Sequence, residues 1–161
     1  MPRATRTRTI PAPVDELWEL VRDPHHLPRW WPRVTRVEDV EGGAFTEVMK
    51  TAKGKLVRAD FNLVEADESL RTLTWEQRVA GTPFARLLKS AETQVSLAPR
   101  APTDRSSGTE PEGAATQTTE VTIELRQALN GFFPRFGGFL VRRAARATID
   151  EALDGLERIS G

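Results

Sequence analysis

The residues best placed to do chemistry are a few polar side chains set among apolar ones in predicted β-strands. Gln77, Lys89, Thr93 and Thr119 each share a strand face with large apolar residues. Amide, ammonium and hydroxyl groups in such a setting could hydrogen-bond the polar part of a small ligand. Gln77 is the first choice, because its mid-strand position among apolar residues should bury its amide. Taken singly, the other three also fit strand ends that reach water.

The chain offers no group of residues for nucleophilic or metal catalysis. It contains no cysteine and no tyrosine, and its two histidines, His25 and His26, are adjacent in a predicted turn and should point apart. No G-x-S-x-G, G-x-G-x-x-G or Walker pattern is present, so neither a nucleophile elbow nor a nucleotide site is expected. We therefore predict no metal and no cofactor.

Charge and hydropathy exclude further classes of protein. The 23 basic and 23 acidic residues balance, so no net field favours nucleic acid. The basic N-terminal residues lack the apolar run of a signal peptide, and no stretch approaches the roughly 18 apolar residues of a membrane span. The absence of cysteine agrees with a reducing compartment. We expect a cytoplasmic protein, either a monomer or a homodimer.

The hydrophobic pattern predicts an α+β fold in the order strand, two short helices, six strands, long helix. A β-rich alternation covers 5–10, an amphipathic helix should run from Val14 to about Asp23, and the following prolines leave room for one short helical turn. Short turns between the later strands require antiparallel pairing. These six strands are expected at 34–40, 45–52, 56–65, 70–79, 84–97 and 118–129.

The C-terminal part of the chain is predicted to be a long helix over 134–159, with an apolar stripe opposite a charged face. The alanines at 144, 145, 147 and 152 allow either close packing of this helix on the sheet or an empty volume between the two. Residues 99–116 are rich in Pro, Gly, Ser and Thr, so we predict a flexible hairpin loop within a single domain covering 1–161.

Strand parity predicts which residues face the concave side of the sheet. Side chains alternate between the two faces of a strand, and the apolar members of each run mark its inward side. The inward side of 45–52 stays open, because Phe45 and Met49 compete with Val48 and Ala52. We expect Trp18, Trp30 and Trp31 in the core or its cap. The predicted ligand-binding residues are Phe61, Trp75, Gln77, Lys89, Thr93, Val95, Thr119, Val121, Ile123, Phe136, Leu140 and Ala144.

Several motifs resemble those of the START-like, Bet v 1-like (SRPBCC) superfamily and its polyketide cyclase/dehydrase-type family. They are Ile10-Pro-Ala-Pro-Val14, Trp18, Val21 and Asp23-Pro24, Trp30-Trp31-Pro32, Trp75-Glu76-Gln77, Gly81-Thr82-Pro83-Phe84, Gly131, and the helix end from Asp150 to Glu157. The resemblance covers nearly the whole chain except 99–116. It implies the helix-grip fold, in which a seven-stranded curved antiparallel sheet wraps a long C-terminal helix around a pocket for an apolar molecule. Fold analogy alone names no reaction.

Three functions remain open at this point. The first is binding, as carriage or sequestration, of a hydrophobic ligand such as a lipid or polyketide-like compound. The second is a cyclase, aromatase or dehydratase that polarises a bound chain through Lys89, Gln77 or, if it points inward, Glu47. The third is a protein-interaction module with an exposed apolar patch near 132–139. An inward carboxylate or lysine with a strongly shifted pKa would favour the enzyme over simple binding.

Overall fold

The computed structural model of the protein describes residues 3–100, 117–131 and 137–160. Within these ranges the elements, in chain order, are β1 (Arg3–Ile10), α1 (Val14–Arg22), α2 (Leu27–Trp30), β2 (Val34–Glu41), β3 (Ala44–Lys50), β4 (Leu56–Asp67), β5 (Thr72–Gln77), β6 (Leu88–Arg100), β7 (Thr118–Leu129) and α3 (Gly137–Ile159). Two 3-10 turns, Pro24–His26 and Pro83–Arg86, precede α2 and β6 respectively.

The seven strands form one antiparallel sheet in the order β1-β7-β6-β5-β4-β3-β2. Strands β2 to β7 are neighbours in chain order, whereas β1 pairs with β7, so that Ile10 lies opposite Thr119. The turn between β2 and β3 places Gly42 and Gly43 at φ values of 58° and 82°, a left-handed conformation that glycine adopts at low cost. The predicted α+β class, with seven strands and a long C-terminal helix, is confirmed.

A packed core fills the space between the sheet and the helices α1, α2 and α3. Its fully buried side chains come from both layers, and their burial is the main source of stabilisation. The largest are Ile10, Leu17, Trp30, Val95, Val121, Ile123, Ile149, Leu153 and Leu156. Helix α3 packs against β1, β7 and α2.

Gly155 lets α3 approach α2 closely. A Cβ at this position would lie 2.3 Å from the carbonyl oxygen of Trp30. Glycine within a helix costs about 1 kcal/mol relative to alanine. The contact between the two helices offsets this cost and holds α2 over one end of the core.

Several strand boundaries differ from the prediction. The residues 84–86 lie in a 3-10 turn rather than in β6, because Pro83 has a fixed φ and no N–H to donate to a strand. Strand β5 covers only Thr72–Gln77. In the described part of the chain, α3 covers Gly137–Ile159, and the predicted helix start at 134 lies outside the described residues. The predicted loop also falls largely outside them, at 101–116.

In the described part of the chain, no helix combines the length and the apolar character needed to cross a membrane.

Candidate ligand-binding site

A cavity of about 430 Å³ lies between the inner faces of β3 to β7 and the first half of α3. This volume is within the roughly 300–1,000 Å³ that small-molecule sites occupy. Most of its wall is apolar, formed by Trp31, Met49, Phe61, Trp75, Leu87, Leu88, Ala91, Leu125, Leu129, Val141, Ala144 and Ala145. Its polar lining residues are Glu47, Gln77, Glu92, Thr93, Gln127 and Thr148.

Aromatic pairs hold one side of the wall. The rings of Trp31 and Trp75 meet edge to face, with centroids 5.9 Å apart, and Phe61 stacks on Phe45 at 5.4 Å. Such contacts add to the burial energy of the rings and restrict their rotamers. Trp31, which was expected in the core or its cap, packs against the core and also lines the cavity.

Helix α3 uses its alanines in both of the predicted ways. Ala144 and Ala145 line the cavity, where a larger side chain would reduce the open volume. Ala152, two turns further along the same stripe, is completely buried in the packed core. Small residues therefore leave space at one end of the helix and allow close packing at the other.

Glu47 points into the cavity from β3, which settles the open parity of this strand. Phe45 lies opposite Phe61 on β4, and Glu47 lies opposite Ala59, so these side chains share the inward face. The side chain of Glu47 is only 2% exposed. Within the described ranges, no residue forms a hydrogen bond or ion pair with its carboxyl. Burial without a cation raises the pKa of Glu47 to about 8.

The amide of Gln77 faces the same cavity from the end of β5. Its Nε2 atom is buried and has no hydrogen-bond partner in the described part of the chain. Gln77 lies opposite Phe61, so β4 separates it from Glu47, and no hydrogen bond joins the two groups. Buried polar atoms are usually paired, and an unpaired one in a cavity wall indicates a place where a ligand supplies the partner.

Five of the predicted binding residues line the cavity: Phe61, Trp75, Gln77, Thr93 and Ala144. Thr93 is buried beside Trp75, its partner across β5 and β6. Whether these residues contact a ligand stays a prediction.

Four other predicted binding residues face inward but lie in the packed core. Val95, Val121 and Ile123 are fully buried and do not line the cavity. Thr119 is buried too, and its hydroxyl donates a 2.7 Å hydrogen bond to the carbonyl oxygen of Ala12. Parity correctly placed these side chains on the concave face, but the open volume occupies only one end of that face.

Two predicted binding residues are placed outside the cavity. Lys89 is exposed, because a bulge shifts the register between Leu88, opposite Leu129, and Ser90, opposite Ala128. A bulge reverses the alternation beyond it, so parity counted from Thr93 gives the wrong face at 89. Leu140 is 60% exposed, and its neighbour Val141 lines the cavity instead.

Phe136, also predicted to bind, lies outside the described residues. Several lining residues were not predicted, among them Glu92, Thr148 and Leu88. Thr148 lies one helical turn beyond Ala144, a spacing that could have identified it. Glu92 and Leu88 lie near the bulge, where the alternation of side chains gives no reliable signal.

The described ranges contain no group of three or more His, Cys, Asp or Glu side chains placed to hold a metal ion.

Comparisons with known proteins agree on the fold. The family model described as polyketide cyclase / dehydrase and lipid transport matches residues 1–161. No curated protein matches the chain.

Three solved structures illustrate the likeness. A START superfamily protein from Mycobacterium smegmatis is 14% identical over 96% of this chain and 94% of that one, with a TM-score of 0.69. The ZhuI aromatase/cyclase from Streptomyces sp. R1128 is 13% identical over 97% and 88%, with a TM-score of 0.64. The di-domain ARO/CYC BexL from the BE-7585A biosynthetic pathway is 24% identical, with a TM-score of 0.72; the match covers 98% of this chain but 46% of that one. At identities this low, the structural likeness shows the helix-grip fold alone.

Proposed function

This chain belongs to the polyketide cyclase/dehydrase and lipid transport family, and on that premise we propose that it binds a hydrophobic small molecule between the sheet and α3. The observation that carries the proposal is the cavity of about 430 Å³ with a mainly apolar wall. The free energy falls when an apolar ligand replaces water against an apolar wall. Filling such a volume with larger side chains would stabilise the fold, so its presence supports a binding role.

The wall also explains how such a ligand would be held. Trp31 and Trp75 present two edge-to-face rings, which offer flat apolar surfaces at a small cost in side-chain entropy. Ala144 and Ala145 on the opposite side keep the volume open. A ligand with a flat or extended hydrocarbon part fits this arrangement between the sheet and the helix.

Filling the cavity tests the proposal. The Ala145→Leu variant places three further carbons in the wall, and Ala147→Leu makes the same change at an exposed helix position outside the cavity. Titration with the neutral naphthalene dye N-phenyl-1-naphthylamine, followed by dye and tryptophan fluorescence, should show binding to the native chain and to Ala147→Leu. Ala145→Leu should bind at least about tenfold more weakly, the loss expected from about 1.4 kcal/mol of lost contact. Equal affinity of both variants, or no binding by the native chain, would count against the proposal.

A second candidate function is acid catalysis, and the buried carboxyl of Glu47 favours it. A carboxyl with a pKa near 8 retains its proton at neutral pH and can act as a general acid. In ring closure of a ketone-bearing chain, the Glu47 proton would pass to the attacked carbonyl oxygen as the new carbon–carbon bond forms. The attacking carbon belongs to the enol form of a second ketone, and the Glu47 carboxylate takes the proton of the enol hydroxyl as that C=O bond re-forms, which restores the acid.

Turnover separates the two candidates. With a synthetic long-chain diketone as probe, an enzyme would accelerate cyclisation over the rate in buffer, and Glu47→Gln would lower that rate by about 10²- to 10⁴-fold. Glu92→Gln, which changes the other carboxyl of the wall, serves as the matched control. Binding of the diketone by both variants, with no acceleration by the native chain, would support binding as the only function.

A further inference from the structure

Two polar side chains of the cavity wall, Glu47 and Gln77, carry buried groups that have no hydrogen-bond partner among the described residues. Both can act as uncharged hydrogen-bond donors. Glu47 is 2% exposed and forms no hydrogen bond or ion pair with another described residue. Without a cation beside it, a buried carboxyl is most stable as the neutral acid, which presents an O–H donor. The Gln77 side chain lines the same cavity, and its Nε2, an N–H donor, is buried without a partner among the described residues.

The described lining residues include no lysine, arginine or histidine. Lys89, the one cation predicted to line the cavity, is on the outside of the bulge in β6. Among the described residues, a ligand carboxylate in this cavity would therefore find no counter-ion, and it would share the cavity with the carboxyl of Glu47. Such a charge is costly to bury, whereas an uncharged oxygen acceptor would satisfy the unpaired donors.

We propose, resting on the binding function above, that Glu47 and Gln77 form the polar end of the cavity and select ligands whose polar group is an uncharged carbonyl oxygen over ligands that carry a carboxylate. The two side chains lie on β3 and β5, on either side of β4, and both line the cavity. The apolar wall supplies affinity and this pair supplies selectivity.

Three probes with the same naphthalene skeleton test the proposal: 2-acetylnaphthalene as the ketone, 2-naphthoate as the carboxylate, and 2-isopropenylnaphthalene as the hydrocarbon. Calorimetric titration at about pH 6 should rank the ketone first, about fivefold or more above the hydrocarbon, the gain expected of one net hydrogen bond. Naphthoate should bind at least about tenfold more weakly than the ketone, because its charge is not compensated.

Variants test whether Glu47 and Gln77 cause the preference for the ketone. Glu47→Leu and Gln77→Leu should each remove most of the ketone's advantage over the hydrocarbon, while Glu47→Gln, which keeps an N–H donor, should retain it. Gln94→Leu changes an amide on β6 that is not part of the cavity lining, and it should leave the ranking unchanged.

Repeating the titrations at a higher pH tests whether the ketone requires the protonated form of Glu47. Val37 on β2 and Ala59 on β4 flank it and carry no charge, and Glu92 on β6 is the other ionisable group among the described lining residues. At about pH 9.5 the ketone should lose its advantage in the native chain and in Glu92→Gln, but keep it in Glu47→Gln.

The outcomes separate this proposal from the binding function on which it rests. If the hydrocarbon binds but the ketone gains nothing, or naphthoate binds as tightly as the ketone, the selectivity is overturned and the binding function stands. If none of the three probes binds, both fail.

Discussion

The concave face of the sheet has two ends that differ in how they are filled. At one end, α1 packs on β6, and α3 packs on β1, β7 and α2, so that Val95, Val121 and Leu156 are completely buried in a packed core. At the other end, the first half of α3 lies over β3 to β7 and leaves the cavity open. One sheet and one helix thus form both a packed core and an open cavity.

Polar side chains of the strands differ between the two ends, although the indole Nε1 atoms of Trp18 and Trp30 in the packed end are also buried without a partner in the described part of the chain. In the packed end, the Thr119 hydroxyl donates to the Ala12 carbonyl and helps to hold the segment between β1 and α1. In the cavity end, Glu47 and the Nε2 of Gln77 have no partner in the described part of the chain. Burial of a polar group alone therefore does not indicate function in this fold. The proposed polar contacts rest on burial together with an unpaired group in the wall of an open volume.

The largest contrast should come from shortening a leucine at each end. Leu156→Ala should lower the free energy of unfolding by about 2–5 kcal/mol, because it opens a void in a packed core. Leu129→Ala, in the half-buried cavity wall, should cost less than half as much, since that side chain already borders open volume. Urea denaturation at neutral pH measures both losses, and equal losses would mean that the two ends are packed alike.

The pH dependence of stability should report on Glu47, the buried carboxyl at the cavity end. Burial raises the pKa of Glu47 from an ordinary value of 4.5 to about 8. Below the lower value, Glu47 holds its proton in both the folded and the unfolded state. Between the two values only the folded state holds it, so the free energy of unfolding falls by about 1.4 kcal/mol per pH unit as the pH rises. Above the folded pKa the loss stays constant.

The test compares the native chain with Glu47→Gln by urea denaturation at about pH 5, 6 and 7. The variant lacks the ionisation and should gain stability relative to the native chain at each step upward. Glu65→Gln, on the exposed side of β4, is the control for a solvated carboxylate. A constant difference across this range would show that Glu47 ionises inside the fold without penalty.

The smallest expected difference in stability is between variants of two neutral polar side chains, Thr119 in the packed end and Gln77 in the cavity end. Thr119→Val should destabilise by roughly 1–3 kcal/mol, because the buried Ala12 carbonyl loses its donor. Gln77→Leu removes an amide whose buried donor is already unpaired, so stability should stay within about 0.5 kcal/mol or rise. Thermal denaturation of both variants measures this difference. A loss in Gln77→Leu equal to that in Thr119→Val would indicate that Gln77 stabilises the free protein.

The sequence by itself was sufficient for the order of the elements, the antiparallel sheet and the inward side of most strands. These properties depend on local periodicity, with a repeat of two residues in strands and 3.6 in helices. The bounds of β7 and the inward positions of Trp75, Gln77 and Thr93 follow from this repeat alone.

Only the tertiary structure decided which part of the concave face is open and which polar groups reach it. The bulge at Lys89 breaks the alternation on which parity depends, and the inward direction of Glu47 follows from its pairing with Ala59 on another strand. The boundary between cavity and core depends on where α3 lies against the sheet. These are long-range properties, since they arise from packing between segments far apart in the chain, and no local repeat encodes them.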